Sequence, residues 1–496
     1  MNKHTIGLLN DSFPPIVDGV ANVVVNYGKI IEQNHGHSIV VTPEVPDADD
    51  TGYDFPIIRY PSIDTRKLVG YVAGYPFSPE AAHFLKSEHA ELLHTHCPMM
   101  SCLLARQLAE SMDLPLVLTW HTKYDIDIAK AIKSKMLREA ALQALLNNVN
   151  ACDEVWTVSR GAGENLRSLG YEGDYIVMPN GVDLTHMQSS EDIVHNETSR
   201  YDLPKNVPVF LFIGRLMWYK GLRIIIDALK KLEKREINFR MVFVGSGGDE
   251  AEVKAYVTEL GLDKKVFFTG AIFSRERLRA WYTRANVFLF PSTFDTNGLV
   301  VREAAATNTA SIIIKDSCAS EGVVDGRNGF LIDENADALS SKLSELSASP
   351  EKMTAVGINA GNELYTSWEE AIAMAYERYE VVIDRHKSGY YKKRLPYDYT
   401  FFRAQGELME TLGEIDAARQ NLFREAQNIR DDIDSSLRSM RNKAITDAIT
   451  AGYETRMELQ SIKEDAETAF RDKTKEVLDS FDTARKEFLD TLGRYL

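Results

Sequence analysis

The sequence predicts an α/β protein with two similar halves and an all-helical C-terminal extension. Short apolar runs alternate with helical patterns in two separate series, which favours parallel sheets covered by helices on both faces. A polar stretch separates the two series, and from about Pro396 the chain contains no further proline. With 496 residues the chain is also too long for a single core, so at least two domains are expected.

Composition narrows the classes of function. The chain has 57 basic and 73 acidic residues, a net charge of −16, which argues against nucleic acid as a general partner. Its four cysteines lack CxxC spacing, so we expect free thiols in a reducing cytosol and no metal site. No apolar run approaches the roughly 18 residues that span a bilayer, and the N-terminus opens into a strand instead of a signal peptide. The expected location is cytoplasmic.

The first half is expected over residues 1–184, with strands at 5–9, 38–42, 57–60, 92–94, 116–119, 154–158 and 175–178. Gly19 begins the first helix. A glycine at this place lets the backbone come close either to a ligand diphosphate or to the helix that follows. His121 follows the strand at 116–119, so a neutral imidazole there could donate a hydrogen bond to a sugar hydroxyl. A structural role for this histidine is the alternative.

The second half begins after residues 185–206, a polar segment without hydrophobic periodicity that we interpret as an interdomain linker. It is expected over 207–366, with strands at 209–213, 241–244, 266–269, 287–290, 310–314 and 329–332, and a closing helix at 367–388. Two such halves leave a cleft between the carboxyl edges of their sheets, which is where ligands bind in these folds.

Two cations follow the first strand of the second half. Arg215 and Lys220 lie on the loop 214–221, between that strand and the next helix. Fixed cations at this place suit a diphosphate leaving group, because they neutralise the charge that grows as a glycosidic bond breaks. The alternative is an exposed basic loop.

The stretch 290–305 joins a strand to a helix. Gly298 falls where the helix N-terminus points its free N–H groups outward, an arrangement that binds phosphate. Two carboxylates, Asp295 and Glu303, are separated by seven residues and could accept hydrogen bonds from a sugar and a ribose on either side of that phosphate. A surface turn with two unrelated acids is the alternative.

Two further segments predict interaction surfaces, one for self-association and one for a membrane. Residues 396–496 carry apolar residues at heptad spacing over 408–440 and 477–492, which predicts a coiled-coil-like extension and a homo-oligomer formed through it. A basic amphipathic segment could rest on an anionic membrane surface, although a solvated helix explains it almost as well. Its cations are Lys123, Lys130, Lys133, Lys135 and Arg138.

Taken together, the motifs resemble those of the retaining enzymes of glycosyltransferase family 4, which have the GT-B fold of two Rossmann-like domains facing across a cleft. The matching segments are 14–19, 94–96, 119–124, 180–183, 214–221, 244–248 and 295–303, in family order over about residues 1–385. One departure is that the family's usual E-x7-E is Asp295-x7-Glu303 in this chain, which shortens the first acid by one methylene.

The resemblance implies a role for each matching residue. Glu303 would bind the ribose, Asp295 the transferred sugar, and Arg215 with Lys220 the diphosphate. Backbone N–H groups of Gly298, Leu299 and Val300 would face the donor, Gly19 would approach the diphosphate from the opposite domain, and His121 would bond the donor sugar. The family needs no bound metal and no cofactor, since the nucleotide sugar is a substrate.

The resemblance also implies an activity. It is closest to glucosyltransferases that act on diacylglycerol at a membrane surface, through the segment 119–125. We therefore expect transfer of a hexose, with retention, from a nucleotide diphosphate sugar, with a UDP-sugar favoured, to a lipid or glycan acceptor. The enzyme is expected to be peripheral on the inner face of the cell membrane.

Two alternatives remain open at this point. A phosphorylase on the same fold would split a disaccharide with inorganic phosphate. An interaction protein would use the helical extension as its working part and the α/β body as a platform, although the intact set of Arg215, Lys220 and Glu303 argues against it.

Overall fold

The computed structural model describes residues 3–16, 18–46, 48–63, 72–131, 134–295 and 297–391. The extension at 396–496, with its predicted heptads, lies outside the described residues. The chain divides into two compact units, Met1–Pro61 with Pro76–Arg394, and Ser62–Tyr75 with Leu395–Leu496. The first unit contains both halves of the α/β body, and the second contains one two-stranded antiparallel sheet.

Strands form where the apolar runs predict them. In chain order they are β1 (Thr5–Leu9), β2 (His37–Pro43), β3 (Ile57–Tyr60), β4 (Ser62–Ile63), β5 (Ala73–Gly74), β6 (Leu92–Thr95), β7 (Leu116–Trp120), β8 (Glu154–Thr157), β9 (Ile176–Val177), β10 (Val209–Ile213), β11 (Arg240–Val244), β12 (Val266–Gly270), β13 (Val287–Phe290), β14 (Ser311–Ile314) and β15 (Phe330–Ile332). Strands β4 and β5 make up the small antiparallel sheet.

The two predicted α/β halves are confirmed. The described strands of the first half pair in the order β3-β2-β1-β6-β7-β8-β9, and those of the second in the order β12-β11-β10-β13-β14-β15. Every pairing within these two sheets is parallel. Strands β10 and β13 are neighbours although β11 and β12 lie between them in sequence, so the strand order reverses here and opens a crevice at their carboxyl ends.

Helices connect the strands. They are α1 (Gly19–Ile30), α2 (Pro79–Ser87), α3 (Met100–Met112), α4 (Tyr124–Ala131), α5 (Lys135–Asn150), α6 (Arg160–Ser168), α7 (Glu191–Thr198), α8 (Leu222–Lys234), α9 (Glu250–Glu259), α10 (Arg275–Arg284), α11 (Leu299–Ala306), α12 (Ala336–Ala348), α13 (Pro350–Leu364) and α14 (Trp368–Lys387). Among the described residues, their buried faces and the central strands form one large apolar cluster in the second half and three in the first, one of which includes residues of α14.

Helix α7 lies within the segment that was expected to be an unpatterned linker. It is held against α10 by polar contacts: Glu197 accepts hydrogen bonds from Arg277 at 2.7 Å and from the indole of Trp281 at 3.0 Å. A short helix with few apolar residues has weak periodicity, so its partner helix, not its own pattern, stabilises it.

The closing helix α14 returns to the first half of the chain. Ser367 and Glu370 form a capping box at its start. Further along, the Tyr376 hydroxyl accepts a hydrogen bond from the backbone N–H of His4 at 2.7 Å, and Arg378 pairs with Glu154 at 2.5 Å. The last helix thus connects the end of the second half to the sheet of the first.

Within the part of the chain that the structure describes, we find no helix long and apolar enough to cross a membrane.

Candidate active site

A pocket of about 190 Å³ opens at the carboxyl ends of β10 and β13, beside the N-terminus of α11. It is lined by Ile213, Gly214, Lys220, Phe290, Asp295, Asn297, Gly298, Leu299 and Val300. Five of the residues singled out from the sequence therefore meet at one place: Lys220, Asp295, Gly298, Leu299 and Val300.

Lys220 reaches this pocket because Gly221 follows it. A 3-10 turn, Trp218–Lys220, ends at Gly221, whose φ of 78° is a left-handed conformation that favours glycine. A Cβ atom on Gly221 would lie only 1.9 Å from the carbonyl oxygen of Pro291. A glycine is therefore needed for the loop that carries Lys220 to pack against the loop that carries Asp295.

The Asp295 carboxylate holds the Lys220 ammonium in place. The Lys220 Nζ atom donates to Asp295 Oδ1 at 2.5 Å, and the hydroxyl of Ser292 donates to Asp295 Oδ2 at 2.7 Å. Lys220 is only 8% exposed, so the cation is fixed in position and mostly withdrawn from water. Both oxygens of Asp295 are engaged, and its contact with a transferred sugar stays a prediction.

The start of α11 adds a second positive element to the pocket. Gly298 caps this helix with a φ of 60°, and a Cβ atom there would lie 2.6 Å from the Cβ of Ala319. The first turn, which includes Leu299 and Val300, lines the pocket. The free N–H groups and the dipole of a helix N-terminus favour a bound anion, and together with Lys220 they suit a diphosphate.

Asn297 is a pocket residue that was not predicted from the sequence. It is 8% exposed, and neither its Nδ2 nor its Oδ1 atom has a hydrogen-bond partner among the described residues. Its position between Asp295 and Glu303 was visible in the sequence, but an asparagine followed by a glycine is typical of a turn and gives no sign of ligand binding.

Glu303 lies one helical turn further along α11, outside the residues that line the pocket. The Tyr282 hydroxyl donates to its Oε2 at 3.0 Å, and the Arg275 guanidinium lies 3.4 Å from its Oε1. Burial raises the pKa of the Glu303 carboxyl above its ordinary value, against the lowering effect of Arg275 and Tyr282. Arg275 also pairs with Asp183, from the motif that ends the first half.

Arg215 and Gly19 stand apart from the pocket lining. Arg215 is exposed, and its guanidinium makes no hydrogen bond or ion pair with any described residue. Gly19 is the first residue of α1, which Asp18 caps through the N–H groups of Val20 and Ala21. A Cβ atom on Gly19 would meet nothing within 4 Å, so packing among the described residues does not require glycine there.

His121 belongs to a buried histidine cluster in the first half. It follows β7, is 7% exposed, and its Nε2 lies 3.1 Å from Nδ1 of His96. Next to His96, His94 is held between the hydroxyls of Tyr379 at 2.5 Å and Thr119 at 2.7 Å. Burial lowers the pKa of His121 to about 3, so its imidazole is neutral at physiological pH, as its predicted role requires. It does not line the pocket.

The basic amphipathic segment is only partly visible as a surface. Lys123 Nζ donates to the carbonyl oxygen of Thr293 at 3.5 Å, which places it against the second half of the chain. Ile128 is 7% exposed and packs in the core, so it does not contribute to an exposed apolar face. Lys135 pairs with Glu139 on α5 at 3.8 Å. Lys133 and the side chain of Lys130 lie outside the described residues, and membrane contact stays a prediction.

Two Rossmann-like domains, with a pocket at the carboxyl edge of the second that combines a fixed cation and a helix N-terminus, are the architecture expected of a GT-B glycosyltransferase that uses a nucleotide sugar. Comparison with known families agrees. The family model described as Glycosyltransferase Family 4 matches residues 17–186, and the model described as Glycosyl transferases group 1 matches residues 195–363. Between them the two models match most of both halves, and the chain belongs to the family 4 type of glycosyltransferase.

Similar proteins include two curated relatives. The alpha-monoglucosyldiacylglycerol synthase of Acholeplasma laidlawii is 23% identical over 401 residues, which cover 78% of this chain and 100% of the relative. The enzyme of the same name from Streptococcus pneumoniae is 24% identical, over 70% of this chain and 79% of the relative.

The fold is shared with solved structures. Anabaena Alr3699/HepE, solved in complex with UDP, superposes with a TM-score of 0.60 at 18% identity, covering 76% of this chain and 100% of that protein. At this level of identity the likeness shows the fold.

Proposed function

We propose that this chain transfers glucose from UDP-glucose to a diacylglycerol-type lipid, with retention of the anomeric configuration and without a bound metal. The single observation that carries the proposal is the Lys220 ammonium, fixed by Asp295 at 2.5 Å beside the N-terminus of α11. The names of the two curated relatives support glucose and diacylglycerol, and a solved neighbour that holds UDP supports the nucleotide.

Fixed positive charge supplies the chemistry that this reaction needs. When the bond between the sugar and the diphosphate breaks, negative charge grows on the leaving phosphate. A preorganised ammonium and helix N–H groups stabilise that charge without having to reorganise. In this proposal Lys220 and the first turn of α11 take the place of a divalent cation.

The test is turnover of defined donors by the full chain. We expect UDP release and glucolipid formation with UDP-glucose and vesicles that contain diacylglycerol, and the same rate with a chelator present. GDP-mannose and ADP-glucose are the competing donors. Proton NMR of the fresh product should show the α-anomer, the configuration of the donor sugar. No turnover of any donor in the panel, with either lipid or oligosaccharide acceptors, contradicts the proposal.

Lys220→Ala should lower kcat about 100- to 1000-fold, the range found when one preorganised charge-stabilising group is removed. Lys352→Ala is the matched control, since Lys352 is a surface lysine that pairs with Glu345 at 2.6 Å. Equal losses in the two variants would show that Lys220 has no special role. Formation of glucose 1-phosphate from glucolipid and inorganic phosphate, in place of transfer, would identify a phosphorylase.

A further inference from the structure

The side chain of Asn297 is buried in the pocket with its hydrogen-bonding capacity unused. Asn297 is only 8% exposed, yet both its amide nitrogen and its amide oxygen lack partners among the described residues. Buried polar groups are nearly always paired, and an exception at a binding site marks a place where a ligand completes the bonding.

The neighbouring acid, in contrast, already has hydrogen-bond partners within the protein. Asp295 also lines the pocket, but Lys220 and Ser292 engage one of its oxygens each. Each of these oxygens keeps a second lone pair, whereas the Asn297 amide, two residues further along the chain, has no partner at all among the described residues.

The chemistry of an amide restricts what can pair with it. The Nδ2 group donates and the Oδ1 atom accepts, so full pairing needs a ligand that offers both an acceptor and a donor. An ionised diphosphate has acceptors only. A pair of sugar hydroxyls offers both, and the pocket already directs its cation and its helix N–H groups to the diphosphate.

We propose that the Asn297 amide binds hydroxyls of the transferred hexose and determines which sugar the enzyme accepts, while Asp295 positions Lys220 for the diphosphate. The inference rests on the proposed function, because it assumes a nucleotide sugar in this pocket. It adds the neighbouring amide to the shortened carboxylate as a group that recognises the sugar.

The experiment compares the full chain with Asn297→Ala in two assays. The first is the Kd for UDP, which lacks the sugar, and the second is kcat/KM for UDP-glucose and for UDP-galactose. We expect an unchanged Kd for UDP, a roughly tenfold lower kcat/KM for UDP-glucose, and a smaller ratio between the two sugars, since one or two hydrogen bonds to hydroxyls are lost. Asn206→Ala, at an exposed asparagine, is the control and should change neither assay.

Thermal unfolding separates this role from a structural one. Removing an unpaired buried amide should leave the Tm of Asn297→Ala equal to or above that of the wild type. A lower Tm, an equal weakening of UDP and UDP-glucose, or an unchanged kcat/KM would each overturn the inference. If the wild-type chain binds no nucleoside diphosphate, the proposed function fails, and this inference fails with it. If the wild type is active and Asn297→Ala has the same kcat/KM for UDP-glucose, only this inference is rejected and the proposed function stands.

Discussion

Acidification from pH 8 to pH 5 should destabilise the first half of the chain through its buried histidines. Burial lowers the pKa of His121 to about 3, and burial lowers the pKa of His94 and His96 well below the ordinary value. A group whose pKa is depressed by folding contributes stability above its unfolded pKa. That stability is lost as the pH falls toward the folded pKa. For His121 the window runs from about pH 6.5 down to about pH 3.

The size of the effect follows from the same shift. At pH 5 the unfolded chain protonates this histidine, whose unperturbed pKa is 6.5, whereas the folded chain does not. The pH lies about 1.5 units below that unfolded value, and one unit corresponds to about 1.4 kcal/mol, so His121 alone costs about 2 kcal/mol. His94 and His96 act in the same direction.

Urea unfolding of the full chain at the two pH values measures this loss. His121→Gln removes the titrating group, so its free energy of unfolding should fall about 2 kcal/mol less than that of the wild type between pH 8 and pH 5. His83→Gln, at an exposed histidine of α2, is the control and should behave as the wild type. Equal losses in all three proteins would refute the reasoning, because His121 would then titrate alike in both states.

Three further predictions concern the candidate site and the extension. Gly221→Ala should lower the Tm more than Gly261→Ala. Both glycines have positive φ, but an added Cβ atom would lie 1.9 Å from the carbonyl oxygen of Pro291 at Gly221, whereas at Gly261 it would meet no atom of the described residues within 4 Å. Equal Tm shifts would show that the contact with Pro291 relaxes freely. The affinity for UDP should fall as the pH drops through the pKa of Glu303, which burial raises, because a protonated carboxyl accepts ribose hydroxyls poorly, and Glu303→Gln should remove this pH dependence. A Kd that changes equally in both proteins would assign the effect to another group. Finally, light scattering of the full chain against one that ends at Ser388 should show an oligomer for the full chain alone, as the heptads predict, and equal monomer masses would contradict it.

Local patterns were enough to predict the fold class and to place several of the predicted site residues at one edge of a sheet. Periodicity places the strands of both sheets within one or two residues of their observed bounds, because a buried parallel strand must be continuously apolar. The spacing of Lys220, Asp295 and Gly298 on loops after strands placed them at the same edge of one sheet, and the structure brings them to one pocket. Both signals, the apolar strand pattern and the turn residues, depend only on neighbouring residues, so one sequence is enough to detect them.

The use of each side chain in the pocket depends instead on contacts between distant segments. Sequence spacing cannot show that Lys220 takes one oxygen of Asp295, since this contact joins two loops about 75 residues apart. Nor can it show that the Asn297 amide is left without a partner among the described residues. Only the bond from Ser292 to the second oxygen of Asp295 is local, three residues away. The same limit applies to α7, whose partner is α10, and to α14, which packs on the first half of the chain. Such contacts form only when the whole chain packs, and they decide which side chains of the Asp295 to Glu303 motif are paired.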